Sequence, residues 1–263
     1  MCDRTIQLIK LIIKLTVPKD FRNRGAKNKA DLDHYIQIIQ SVLRTGMQWK
    51  ELNAKLHYTT YHKKFIKWAS LNVFSNAFYI LTKMLKSLKY LDDADLQNLF
   101  IDSSMVKNIR GIEGTGINHY DRGKQASKVT VVVTRQGIPL GLHVETANKH
   151  DVTLVLGALD AIEIKIIGSR LIADKGYVSK NLKTTLRQQR QIYLVHPPKS
   201  TQNIILPQIQ RNLLAKRNIV ENFFSWIMNF RRIRVRYERQ THNYVQFYYL
   251  AMIQVIYKKC RHL

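Results

Sequence analysis

Hydrophobic periodicity switches along this chain, and the switch falls at residues 91–95, where LDDAD carries three of the 18 acidic residues. Upstream, Leu32, Tyr35, Ile36, Ile39, Val42 and Leu43 recur at the i, i+3/i+4, i+7 spacing of one helix face. Gly46 ends that helix. A second helix starts at Thr59 or Thr60, both good N-cap types. It carries Tyr61, Phe65 and Trp68 on one side and His62, Lys63, Lys64 and Lys67 on the other. Several short helices, the later one with a basic face, suit a helix-turn-helix DNA binder and equally a plain helical bundle with a solvated lysine face.

Downstream the pattern becomes that of strands. Residues 97–107 (QNLFIDSSMVK) read as one, 128–134 (KVTVVVT) as a β-branched second, and 138–145 as its return after a tight turn at Gln136-Gly137. A helix over 153–162, a strand over 171–173, a helix over 179–189 and a strand over 192–195 follow. Then come a polar loop over 199–212 and a long helix from about Ala215 through Arg231. Three meandering strands followed by alternating helices and strands predict an α+β fold, a mixed sheet flanked by helices. Two domains are expected: a small all-helical one over residues 1–95 and a mixed one over 96–263 that ends in a basic helical segment.

Charge narrows the function. Lys and Arg number 43 against 18 Asp and Glu, a net of +25 with a pI near 10.1. Such self-repulsion suits a polyanionic partner, and nucleic acid fits best, because each neutralised phosphate releases counterions. The basic residues spread over all segments without a single basic amphipathic anchor, which disfavours a membrane surface. A metabolic enzyme for a small neutral substrate is equally disfavoured. Cys2 and Cys260 stand at opposite ends with no metal-ligand spacing, so neither a disulfide framework nor a structural zinc site is expected. The apolar run at 6–17, a further helix candidate, is broken by Lys10 and Lys14 and is shorter than the roughly 20 residues a membrane span needs. An intracellular protein is the expectation.

Three carboxylates stand out. Asp102 interrupts the apolar strand containing Leu99, Phe100 and Ile101, where an acid is costly unless paired or metal-bound. Asp174 ends LIAD, where a buried strand releases into a loop, and ligands gather at that end of parallel strands. Glu221 lies in RNIVENFFSWIMNF, on the face shared with Arg217 rather than with Val220, Phe223 and Ile227. Each has a plainer reading: Asp102 capped by backbone amides, Asp174 capping the next helix, Glu221 paired with Arg217 at i, i+4. In a very basic protein, however, converging carboxylates are how two Mg2+ ions are held roughly 4 Å apart for in-line attack at phosphate. Gly111, Gly114 and Gly116 lack the context of a phosphate-binding loop and read as a hairpin loop. His150-Asp151 reads as a helix cap.

The wording around these residues resembles bacterial insertion-sequence transposases with a DDE catalytic domain, most closely the insertion-sequence-five family. LRTGMQWKEL and YHKKFIKWA are similar to its DNA-binding segment, and IDSSMVK with DRGKQASKVTVVVTRQGIPLGLHVETANKHD to its first-aspartate region. LIADKGYVS resembles the second-aspartate block, and RNIVENFFSWIMNFRRIRVRYER the glutamate block with its Arg-rich continuation. Leu214 and Met228 stand where a related signature has Tyr and Lys, and QAS, at Ala126, stands where Gly-Ser is more usual.

The resemblance implies a ribonuclease-H-like core in which Asp102, Asp174 and Glu221 hold Mg2+, with Mn2+ as substitute. It also implies Arg217 at DNA phosphate, and a reaction that cuts element ends and joins them to target DNA. Terminal inverted repeats and target DNA would be the partners, and pairing two ends implies a homodimer on DNA. Such a protein would work in the bacterial cytoplasm, at the nucleoid. Arg231, Arg232, Arg234, Arg236 and Arg239, with Tyr237 among them, have the basic and aromatic interleaving of a DNA contact. Two other readings remain open: a catalytically silent DNA-binding relic, and a metal-dependent nuclease on the same core.

Overall fold

A computed structural model describes residues 3–16, 31–198 and 205–260. Contacts divide the chain into two compact units: Met1–Leu81, Val106–Gly114 and Ile227–Leu263 in one, Thr82–Met105 and Thr115–Trp226 in the other. The sequence places a single boundary at 95/96; the compact units instead gather the C-terminal segment with the N-terminal helices. The expected polar stretch at 199–204 lies outside the described residues.

The first unit is helical. α1 (Asp3–Thr16) and α2 (Leu32–Thr45) are tied by Lys10 to Asp33 at 2.9 Å. Asp31 caps α2 by accepting from the His34 amide, and Gly46 ends it in the left-handed conformation at φ +70. α2 buries the expected face, Tyr35, Ile36, Ile39, Val42 and Leu43. A 3-10 turn (Trp49–Glu51) precedes α3 (Tyr58–Ser70), which starts one residue before the threonines expected to cap it. Its N-cap position is His57, whose side chain makes no capping bond.

The C-terminal α11 (Thr241–Lys259) supplies the centre of this core. Tyr244, Phe247, Tyr248, Leu250, Ala251, Met252 and Ile253 are all buried, so the helix is enclosed on every side. Phe247 stacks on Phe65 with ring centroids 4.1 Å apart, and Tyr79 of α4 (Val73–Ser87) shares a 2.7 Å hydroxyl hydrogen bond with Tyr249.

The second unit carries most of the sheet. LDDAD forms a capping box: Asp92 accepts from the Asp95 amide and the Asp95 side chain from that of Asp92, opening α5 (Asp93–Gln97). Asp95 is buried and held by Arg135 at 3.2 Å and Gln136 at 2.7 Å. α5 runs directly into β1 (Asn98–Asn108). β2 (Gly116–Asn118) and β4 (Pro139–Thr146) each pair antiparallel with β3 (Lys124–Thr134), whereas β5 (Arg170–Ile172) runs parallel to β1 and β6 (Tyr193–Val195) parallel to β5.

The order is β2-β3-β1-β5-β6, with β4 also on β3. α6 (Asp151–Asp160) and α7 (Lys180–Arg190) make the crossovers that parallel pairing demands. Three meandering strands followed by two parallel ones joined through helices give the expected mixed, ribonuclease-H-like α+β fold. The residue 116–118 part of the expected glycine loop is strand β2.

Two expectations in the last third change. Residues 208–212, expected in a loop, belong to the short α8 (Gln208–Leu214). The expected long helix from Ala215 is shorter and broken. α9 covers Asn218–Ile227, a turn follows, then α10 (Arg231–Arg234) and β7 (Val235–Arg236), which pairs with Lys107 and Asn108. The break lets Phe230, Arg232 and Ile233 all turn inward, which one straight helix face cannot do. Among the described residues no helix is long and apolar enough to cross a membrane.

Gly141 on β4 sets how closely α6 lies on the sheet. A Cβ there would stand 2.2 Å from the Ala158 carbonyl oxygen and 2.9 Å from Ile162. Backbone cannot yield as a flexible side chain can, so Gly141→Ala is expected to cost about 1–3 kcal/mol by overpacking. Urea denaturation of the purified variant measures this. An unchanged midpoint would mean that the helix shifts freely.

Candidate active site

The register of β1 and β5 brings two acids to the same level. Asn98, Leu99 and Phe100 pair with Arg170, Leu171 and Ile172, a constant offset of 72. Carried on two residues, that offset sets Asp102 opposite Asp174, where the parallel strands part. The apolar residues before each acid are fully buried and fix the strands, so the acids are delivered by packing that has nothing to do with their charge.

Asp102 is half-buried and accepts from the Ser103 amide at 2.8 Å. Burial pushes its carboxyl above the ordinary range. The Ser103 amide and the Arg217 guanidinium offset part of that, and the charges of Asp151 and Asp174 add to it. Asp174 caps the 3-10 turn Lys175–Tyr177, accepting from the Lys175 amide at 2.6 Å, and receives Arg217 Nη1 at 3.0 Å. The helix that follows, α7, is capped by Ser179 instead. Arg217 lies just before α9, and its Nη2 stands 4.0 Å from Glu221, which is exposed. The plainer readings of Asp102 and Glu221 therefore exist as contacts, whereas Asp174 caps the 3-10 turn rather than the next helix; Arg217 links Asp174 and Glu221.

Asp151, expected only to cap a helix, and Lys128, Ser103, Tyr177 and Thr130, given no role by the sequence, belong to the same neighbourhood. Asp151, at the start of α6, pairs with Lys128 at 3.0 Å and acts on Asp102 by charge. Its predecessor His150 holds the N-cap position without a side-chain capping bond. The buried Lys128 also donates to the Lys149 carbonyl at 2.6 Å. Ser103 Oγ bonds the Tyr177 hydroxyl at 2.9 Å and the Thr130 hydroxyl at 2.8 Å, which stiffens the backbone beside Asp102. Burial drives the Tyr177 phenol far above its ordinary pKa, so it stays a neutral hydrogen-bonding group. Local sequence carries a signal for Asp151 only in hindsight: a carboxylate at the first turn of a helix reads as a cap until the strands are paired.

The donor set suits a hard divalent cation, since carboxylate oxygens are its preferred ligands and the carboxylates of Asp151 and Asp174 both act on Asp102. Asp102 and Asp174 fit that role. Glu221 sits beyond Arg217, and among the described residues no three His, Cys, Asp or Glu side chains converge as a preformed metal cage.

The raised pKa of Asp102 has a consequence for stability. Above its folded-state pKa the ionised carboxylate opposes folding in full, and the cost disappears as pH falls toward the unfolded-state value. Asp102→Asn is therefore expected to raise the thermal midpoint at neutral pH in EDTA, with a gain over wild type that shrinks in acid. A lowered midpoint at neutral pH would show that the charge stabilises the fold.

The basic residues divide into two groups. Lys63 is exposed and Lys67 partly so, whereas Lys64 lies over the rings of Tyr35 at 5.1 Å and Trp68 at 5.8 Å. Arg231 and Arg234 are exposed. Arg232 is buried against Glu238 at 2.6 Å and donates to the Met47 carbonyl. Arg236 is fully buried and donates to the carbonyls of Glu238, Gly114 and Arg239. Arg232 and Arg236 thus serve the interior of the first unit, which corrects the expectation that they offer their guanidinium groups to DNA.

Comparison with known proteins identifies the family. Residues 94–256 match the Transposase DDE domain family, a span that contains all three acids. The chain is 34% identical over 135 residues to a putative transposase for insertion sequence element IS402 from Burkholderia cepacia, covering 48% of this chain and 60% of that relative. It thus spans less than two thirds of the relative's length. Among solved structures it is similar to a chain of the piggyBac transposase synaptic complex with hairpin DNA. That match has 8% identity and a TM-score of 0.49, over 98% of this chain and 72% of the other. A pre-cleavage Mos1 transpososome matches at 8% identity and a TM-score of 0.29, over 97% of each chain. Both superpositions are loose, and the assignment rests on the domain match, which takes in well over half of the sequence. This chain belongs to the Transposase DDE domain family.

Proposed function

We propose that this chain is a DNA transposase of the insertion-sequence-five type, which cuts the ends of its element and joins them to target DNA. The observation that carries the reading is the register of β1 and β5, which carried on two residues sets Asp102 level with Asp174, with Arg217 joining Asp174 to Glu221, inside the matched domain. Mg2+, or Mn2+ in its place, would be held by Asp102 and Asp174 with Glu221 as the third ligand. When bound, it would supply Lewis acidity at the phosphate and lower the pKa of an attacking oxygen.

The chain's own residues do the positioning. Asp102 is fixed from behind by Ser103 and Tyr177, and Asp174 by its cap on the 3-10 turn. Arg217, now shared between Asp174 and Glu221, is placed to meet a DNA phosphate, leaving the carboxylates free for the cation. Lys63, Arg231 and Arg234 offer exposed charge for further phosphates. The partners are the element's terminal inverted repeats and target DNA, bound by a homodimer in the bacterial cytoplasm.

Strand transfer separates this reading from a nuclease on the same core. Pre-cut element ends incubated with supercoiled plasmid and Mg2+ should become covalently joined to it. Nicking of the plasmid without joined product would favour the nuclease, and binding with neither product the silent relic.

A further inference from the structure

The first unit carries an open-mouthed cavity of about 630 Å3, within the size range of small-ligand sites. Its walls come from the 3-10 turn, from α3, from residues 110–113 and from the stretch 237–243 that opens α11. Trp49, Tyr58, His62 and Tyr237 provide rings, none of them fully buried. Trp49 is held by Phe65 at 5.7 Å and His62 at 5.2 Å between ring centroids, and Tyr237 is backed by the Arg232 guanidinium at 5.0 Å. Burial and the nearby Arg232 charge lower the pKa of His62, so its ring is neutral at physiological pH.

Charge identifies the occupant. Lys50, Arg110 and Arg239 line the cavity exposed to solvent against one exposed acid, Glu113. The other acid, Glu238, is already neutralised by Arg232. The amides of Gln48, Gln240 and Asn243 add both donors and acceptors. Half-buried rings held at the cavity wall give a sequence-tolerant stacking surface, neighbouring cations attract a phosphate backbone, and amides can meet a base edge. A duplex is too wide to enter such a hollow. One unstacked base is not.

We propose that this cavity binds an unpaired DNA nucleotide, its base against Trp49 and Tyr237 and its flanking phosphates at Arg110 and Arg239. The site rests on the transposase reading for its partner, but not on catalysis.

The test uses the whole protein carrying Trp226→Phe, which leaves Trp49 and the buried Trp68 as the tryptophans. A short fluorescein-labelled oligothymidine should quench Trp49 emission and bind with measurable anisotropy. Arg110→Ala with Arg239→Ala, both at exposed positions, and Trp49→Ala should each weaken it by about tenfold, with Trp49→Phe restoring most of the loss. Urea midpoints check that each variant is folded. A blunt duplex should respond little to these changes. A duplex with a single-stranded overhang and one with an internal mismatch then tell a frayed end from a base turned out of the helix, since the variants weaken only the form that fills the site. The inference is overturned if oligothymidine affinity stays within twofold in the folded variants while the blunt duplex still binds. Loss of all DNA binding by the unmutated protein would instead sink the transposase reading itself.

Discussion

Asp102→Asn, Asp174→Asn and Glu221→Gln are each expected to cut metal-dependent DNA cleavage by roughly 10³-fold or more, while the protein stays folded. Each change keeps the shape of the side chain and removes one charge. Asn at 174 can still accept from the Lys175 amide and so keep the 3-10 turn. Asn at 102 can keep the Ser103 contact at 2.8 Å. What is lost is the anionic oxygen that a divalent cation requires. Glu221→Gln is the most informative of the three, because this acid stands beyond Arg217. Single-turnover cleavage of element-end DNA under Mg2+, alongside thermal melts, measures the effect. Full activity in Glu221→Gln would confine the chemistry to the two aspartates.

Glu238→Ala is expected to destabilise the first unit by about 3–5 kcal/mol. Glu238 and Arg232 are both buried, 7% and 4% exposed, and meet at 2.6 Å. Removing the carboxylate strands a guanidinium among Tyr237, Phe247 and the Met47 carbonyl. The Tyr237 amide, which donates to the second carboxylate oxygen, loses its acceptor too. Replacing both partners by Met and Leu leaves no charge behind and should recover much of the loss. Chemical denaturation of the single and double variants gives the comparison. A single variant within 1 kcal/mol of wild type would mean that water reaches Arg232 in the native state.

Much of the sheet was legible because its strands announce themselves by content. Residues 128–134 are β-branched, Gln136-Gly137 is a turn, and the return follows at once. The two aspartates were legible as interruptions, since a charge after Leu99–Ile101 or after Leu171–Ala173 has no packing reason to be there, and Glu221 by the helix face it shares with Arg217. Their level pairing was not, because register belongs to two strands and no single segment records it. α11 left no periodic signature for the opposite reason. Being buried on every side, it reads as apolar at all angles, and periodicity detects only helices with a wet face. Its partnership with α3, and hence the interleaved units, followed it out of view. Arg232 and Arg236 misled because a run of arginines reads as surface charge; burial with Glu238 and backbone carbonyls is a tertiary fact.

The most direct test of the catalytic assignment is cleavage of an end-labelled duplex that carries the element's terminal repeat. The wild-type chain and Asp174→Asn are compared in Mg2+, in Mn2+ and in EDTA, with binding followed in parallel. A nick at the element boundary that needs the metal and vanishes in the variant, with DNA binding retained, is the predicted result. Cleavage that survives in Asp174→Asn, or a wild-type protein that binds the duplex yet cuts it in neither metal, would contradict it.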